Sequence, residues 1–165
     1  MSVEKLFAEN YEALVRYLTR FTRDSDIAAD LAQEAFIRYV EREPDNTNPR
    51  AWLFTVATNL ARDHVRIWNR RVVLMNEAPD EAPMGEAAPA ADVALEAEES
   101  RLLVREALDR LSERERTLLL MREEGFSHEE MAKATGTTTK SVGTMLVRAF
   151  RKLSLLLATD RELLQ

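Results

Sequence analysis

A chain of 165 residues has room for one ordinary domain or two small ones, and a hydrophobic share of 45% beside 32% charged residues describes a globular protein with a core. The lack of cysteine excludes disulfides and thiolate metal sites, and two histidines far apart, His64 and His128, are too few for a catalytic metal centre. The net charge of −6 is unevenly placed: residues 1–71 carry 11 basic and 11 acidic side chains, 72–100 carry 0 and 8, and 101–165 carry 12 and 10, so the whole acidic excess sits in the middle.

The N-terminal run MSVEKLFAENYEALV lacks the basic flank and cleavage signal of a secretory peptide. No apolar run approaches the roughly 18 to 20 residues of a membrane span. A cytoplasmic location without membrane insertion is therefore expected. Apolar residues recur at three and four throughout both charged blocks, glycine is scarce and alternating runs are absent, so the expected fold is all-α. The first block should hold helices near Val3–Thr22, Asp26–Arg42 and Pro49–Arg71.

In the second of these, SDIAADLAQEAFIRYVERE, the periodicity turns Ala28, Leu31, Ala32, Ala35, Phe36 and Tyr39 inward and leaves Asp30, Gln33, Glu34, Ile37 and Glu41 outside. An exposed isoleucine within an acidic and amide stripe fits a surface for another protein, although single exposed apolar residues are ordinary. The third starts at Pro49, a good first-turn residue. Leu53, Val56, Ala57, Leu60, His64 and Ile67 are expected inside, with Thr55, Asn59, Arg62, Arg66 and Arg70 opposite. That outer stripe mixes cations with amide and hydroxyl groups, which suits tracking a nucleic-acid backbone and bonding to exposed bases. Trp52 and Trp68 are expected to pack, and His64 to be a satisfied core histidine.

Asn76–Asp92, NEAPDEAPMGEAAPAAD, holds three of the five prolines and five acids with no base. This is linker chemistry, read as a spacer, with a segment laid in a partner's groove as the alternative. The second block should hold a helix near Val93–Leu111, then Glu113–Glu124, His128–Ala134 and one from Thr138 onward. SERE at Ser112–Glu115 and SHEE at Ser127–Glu130 each fit a capping box, Phe126 and Met131 sit at staple positions around the second, and Gly125 and Gly136 mark helix ends.

A short helix, a glycine-containing turn and a longer helix is helix-turn-helix grammar. In the longer helix Val142, Met145, Leu146, Ala149 and Leu153 should face inward, and Lys140, Ser141, Thr144, Arg148 and Arg151 outward. Thr137–Leu153 contains these cations and Lys152 without one carboxylate. A major-groove helix needs that arrangement, because cations meet phosphates and a carboxylate would be repelled. A solvated basic face on a helical bundle is the competing reading.

Taken together, DLAQEAF at Asp30–Phe36, RAWLFTVATNLARDHVR at Arg50–Arg66 and ALDRLSERERTLLLMREEGFSHEEMAKATGTTTKSVGTMLVRAFRKL at Ala107–Leu153 resemble the extracytoplasmic-function group of bacterial RNA polymerase sigma factors. The resemblance implies two small helical domains, region 2 over 1–71 and region 4 over 101–165, joined by an acidic Pro/Ala-rich linker over 72–100. It implies an initiation factor that binds core polymerase, through the β′ clamp helices and β flap, and directs it to promoters. Asp30, Gln33 and Glu34, joined by Ile37, match the surface that docks on the clamp helices. Asn59, Arg62, Asp63 and Arg66, with Arg70, match the helix that engages and helps melt the −10 element, and the loop Pro44–Pro49 one that holds a flipped base. Lys140, Ser141, Thr144, Arg148, Arg151 and Lys152 fall on the helix that reads the −35 element. An anti-sigma factor is implied as a further partner. No cofactor, metal site or catalytic residue is expected.

The rival readings are a polymerase-independent helix-turn-helix regulator, with no use for the Asp30–Gln33–Glu34 surface, and a helical adaptor, for which the basic stripes are only solvated. An enzyme fits least, since no nucleophile–base or metal constellation is visible.

Overall fold

The computed structural model describes residues 2–45, 47–75 and 93–163, and every regular element among them is an α-helix. The chain divides into two compact units, Met1–Gly85 and Glu86–Gln165. The predicted spacer, residues 76–92, lies outside the described residues.

Three helices build the first unit: α1 (Val3–Thr22), α2 (Ser25–Arg42) and α3 (Pro49–Met75). Their boundaries are set by local chemistry. The Ser2 hydroxyl accepts from the Lys5 N–H, and one Asp24 carboxylate oxygen accepts from the N–H groups of Asp26 and Ile27 at 2.9 and 3.1 Å, satisfying donors a helix start leaves orphaned. The Asn48 amide oxygen does the same for Ala51, directly before Pro49. α1 and α2 stop at Arg23 and Glu43, which turn into the left-handed region at φ 58° and 39°.

Each of the three helices packs on the other two. Alanines 28, 32 and 35 line the buried side of α2 and allow close approach, while Leu6, Leu14, Tyr17, Leu18 and Phe21 from α1 fill the centre. The Tyr17 ring lies edge-on to Phe21 and tilted on Phe54, each at 5.1 Å between centroids. Its hydroxyl is 2.8 Å from Thr58 Oγ1. Because the Thr58 hydroxyl donates to the Phe54 carbonyl at 2.6 Å, the phenol is the donor to Thr58.

That cluster turns α3 away from its expected orientation. Leu53, Phe54, Ala57, Thr58 and Ala61 are buried, whereas Val56, Leu60 and His64 are only half-buried and Ile67 is exposed. The inner face is rotated by about a quarter of the circumference from the one that apolar spacing suggests. Trp52 packs as expected, edge-on to Tyr39 at 5.4 Å. Trp68 does not: it is 53% exposed, because α3 runs for 27 residues against 20 in α1 and 18 in α2. Among the described residues nothing covers that far end, where Val73, Leu74 and Met75 are exposed too.

The second unit contains α4 (Val93–Asp109), α5 (Glu113–Glu123), α6 (His128–Thr135) and α7 (Thr139–Leu163). Both capping boxes form: Ser112 and Ser127 accept from the Glu115 and Glu130 N–H groups, and those carboxylates accept in return from the Ser112 and Ser127 N–H groups at 2.8 and 2.6 Å. Gly125 at φ 83° lets the Phe126 N–H reach back to the Met121 carbonyl, and Gly136 at φ 64° does the same for Thr137 and Ala132, so both turns use a conformation that glycine adopts without strain.

α7 packs on α4, α5 and α6 through Val142, Leu146 and Ala149, with Met145 and Leu153 half-buried beside them. Its far end is tied down as well. Asp160, with 14% of its side chain exposed, accepts from Arg110 Nη1 at 3.0 Å, and Leu156 and Leu157 are half-buried. At the head of α5, Arg116 is buried with Nη1 donating to Asp109 at 3.2 Å, and its burial pulls the guanidinium pKa down. No described helix is long and apolar enough to cross a membrane.

Candidate functional site

Three surfaces hold the residues that the sequence singles out. On α2, Asp30, Gln33 and Ile37 are exposed and project from the side opposite the alanines. Glu34 stands with them but is half-buried, and accepts from Arg38 Nε at 2.7 Å. Val40, 49% exposed and three residues after Ile37, extends the apolar part of this patch. Its place one turn after Ile37 and away from the alanine face is the sequence signal for it.

On α3, Asn59, Asp63, Arg66 and Arg70 are exposed and Arg62 is half-buried, so the stripe survives the rotation of the inner face. Thr55, assigned to the same stripe, spends its hydroxyl on the Ala51 carbonyl at 2.8 Å. Between Asp45 and Glu77 the only carboxylate is Asp63, against five arginines, so this helix offers a cationic surface within a near-neutral unit.

On α7, Lys140, Thr144, Arg148 and Arg151 are exposed, and none of the three cations has a carboxylate partner among the described residues. Ser141 and Lys152 are engaged elsewhere. The Ser141 N–H donates to Thr138 Oγ1, and the two hydroxyls are 2.8 Å apart, which makes them part of the start of the helix. Lys152 Nζ donates to Glu115 Oε2 at 3.1 Å and fastens α7 to the capping box of α5. The Ser112 N–H, and then Lys152, hold the Glu115 carboxyl below the usual range. Two exposed apolar residues of α7, Val147 and Phe150, belong to neither face drawn from the sequence. Among the described residues no group of three His, Asp or Glu side chains is placed to hold a metal ion.

An α-helix with a cation-rich outer face, preceded by a short helix and a glycine turn, can lie in a DNA major groove. A second cationic helix, α3, stands on a separate unit, and the α2 patch is chemically different from both. Known proteins show the same pairing. The sigma-70 region 2 family matches residues 6–71, and the sigma-70 region 4 family matches 101–153. The ECF RNA polymerase sigma factor EcfG of Rhodopseudomonas palustris is 33% identical over 141 residues, covering 83% of this chain and 75% of that protein. SigL of Mycobacterium tuberculosis is 32% identical over 157 residues, covering 92% and 86%. Among solved structures, RpoE of Bartonella quintana, crystallised with the anti-sigma factor NepR, shares the fold with a TM-score of 0.72 at 23% identity, over 95% of this chain and 97% of that one.

The chain belongs to the extracytoplasmic-function group of RNA polymerase sigma factors, transcription initiation factors that direct RNA polymerase to promoters. α1–α3 coincide with the region 2 match. The region 4 match ends at residue 153, so the last turns of α7, including Asp160, lie beyond it.

Proposed function

We propose that the α2 patch of Asp30, Gln33, Glu34 and Ile37 docks on the β′ clamp helices of core polymerase, that the α3 stripe engages the −10 element, and that α7 reads the −35 element as duplex. In this reading Asn59, Arg62, Asp63, Arg66 and Arg70 capture the strand exposed at the −10 element. A base leaving the stack costs a few kcal/mol, recovered in a cationic groove. Lys140, Thr144, Arg148 and Arg151 contact phosphates and base edges, while Ser141 and Lys152 hold the helix in position. The domain limits follow as 1–71, 72–100 and 101–165, the middle segment acting as the tether, with the β flap as the mount for the second unit. The protein works in the cytoplasm without catalysis or cofactor.

The observation that carries this reading is the carboxylate-free outer face of α7 over residues 139–159, in a chain whose total charge is −6. An anti-sigma factor covering the polymerase-binding patch is the proposed regulator, by analogy with Bartonella quintana RpoE, which was solved bound to one. Run-off transcription with purified core polymerase and a genomic promoter library tests the assignment. Transcripts should appear only when the chain is added and should vanish with Gln33→Ala plus Glu34→Ala. Full activity from that double variant would remove the α2 patch from the mechanism.

A further inference from the structure

Val147 stands at the edge of the cationic surface of α7, between Lys140 and Arg151 on one side and Phe150 on the other. It is 56% exposed, although the buried side of the helix is supplied by Val142, Leu146 and Ala149. Thr144 at i−3, Arg151 at i+4 and Lys140 at i−7, all exposed, border it on one side, and Gly143 at i−4 and the exposed Phe150 at i+3 on the other. A β-branched residue on an exposed helical face is a poor helix former, and here it contributes little to the core. No carboxylate occurs from residue 131 to 159, so the surface is built to meet an anionic partner.

An apolar group bordered on one side by cations fits a partner that presents an apolar point next to anionic groups. Duplex DNA supplies that combination in the major groove, where the C5-methyl group of thymine stands among base-edge acceptors and between two rows of phosphates. We infer that Val147 reads a thymine methyl group in the upstream promoter element. Arg148 and Arg151, which follow it in sequence, are placed for phosphates or guanine edges, and Val147 adds a base preference that they cannot supply. The inference rests on the reading of α7 as the helix that enters that element.

The test uses the full chain with core polymerase and a promoter fragment recovered from the transcription library, in which each upstream thymine is replaced in turn by uracil. Uracil removes one methyl group and keeps every hydrogen-bonding edge. At one position the replacement should weaken complex formation about 3- to 5-fold, the effect of one methyl group leaving an apolar contact. Val147→Ser, which changes only an exposed side chain, should bind the thymine and uracil fragments equally. A loss of the same size in wild type and Val147→Ser would overturn the inference, as would indifference of wild type to every uracil. If wild type responds to scrambling of the whole upstream element but to no uracil, only the assignment of Val147 fails; indifference to scrambling would remove α7 from promoter reading altogether. Should Val147→Ser weaken binding to core polymerase without DNA, the side chain belongs to a protein contact and the inference is wrong.

Discussion

Tyr17 donates its phenolic proton to Thr58, whose own proton goes to the Phe54 carbonyl, so a three-residue relay joins α1 to α3 inside the first unit. Tyr17→Phe removes only the donor, keeps the ring contacts with Phe21 and Phe54, and leaves the Thr58 hydroxyl bonded to the backbone. The expected cost is about 1 kcal/mol in urea denaturation. A second residue-scale consequence concerns acid. The Glu115 carboxyl titrates below its ordinary range because it accepts from the Ser112 N–H and from Lys152. The unfolded chain therefore takes up the proton first as the pH falls. Stability from this group is complete above the ordinary glutamate pKa and is lost as the pH drops through the lower folded value. Glu115→Gln, which preserves a capping-box acceptor, should flatten the acid limb of the stability curve while leaving helix content at neutral pH unchanged.

At the scale of the helix, α7 separates cations that face outward from one that is tied down. In salt titrations of promoter binding by the assembled polymerase, Arg148→Ala and Arg151→Ala should each lower the log–log slope by roughly 0.9, one phosphate contact apiece. Lys152→Ala should change it less, because its ammonium group is paired with Glu115, and should instead cost a few tenths of a kcal/mol of stability. Equal slope changes for all three would show that the ion pair opens on binding.

The elements were readable where their signals are local. Ser112 with Glu115, Ser127 with Glu130, and the glycines at 125 and 136 each act over three to six residues, and the helix limits of the second unit follow from them. The outward set Lys140, Thr144, Arg148 and Arg151 was legible for the same reason: a helical wheel needs only the sequence. The ion pair of Lys152 was not, since its partner Glu115 lies 37 residues away. The orientation of α3 was also out of reach. An apolar stripe through Val56, Leu60 and Ile67 looks as good on a wheel as the real one, and the choice was made by a tyrosine on another helix that needed Thr58 inside. Trp68 was misplaced because its environment depends on where α1 and α2 stop, which α3 does not encode.

Across the whole molecule, two small units each carry a cationic helix, and a polymerase-docking patch is proposed on the first. About three phosphate contacts from α7 correspond to a salt slope of only roughly −3, a weak hold on DNA at physiological ionic strength. Mounting both units on one large partner makes the second contact intramolecular, at an effective concentration set by the tether. If Asn76–Asp92 is a spacer, a Gly/Ser segment of equal length should keep promoter-dependent transcription near its original level. A collapse of transcription with polymerase binding intact would show that the acidic side chains themselves make a contact.

Weak DNA binding by the free chain and strong binding on polymerase is the central claim, and the most direct measurement is the affinity of a labelled promoter fragment for the chain with and without core polymerase at physiological salt. The free chain should bind in roughly the micromolar range of non-specific association, with little preference for promoter over scrambled DNA, and the assembled polymerase should bind far more tightly and select the promoter. Tight, promoter-selective binding by the free chain that core polymerase leaves unchanged would contradict the account.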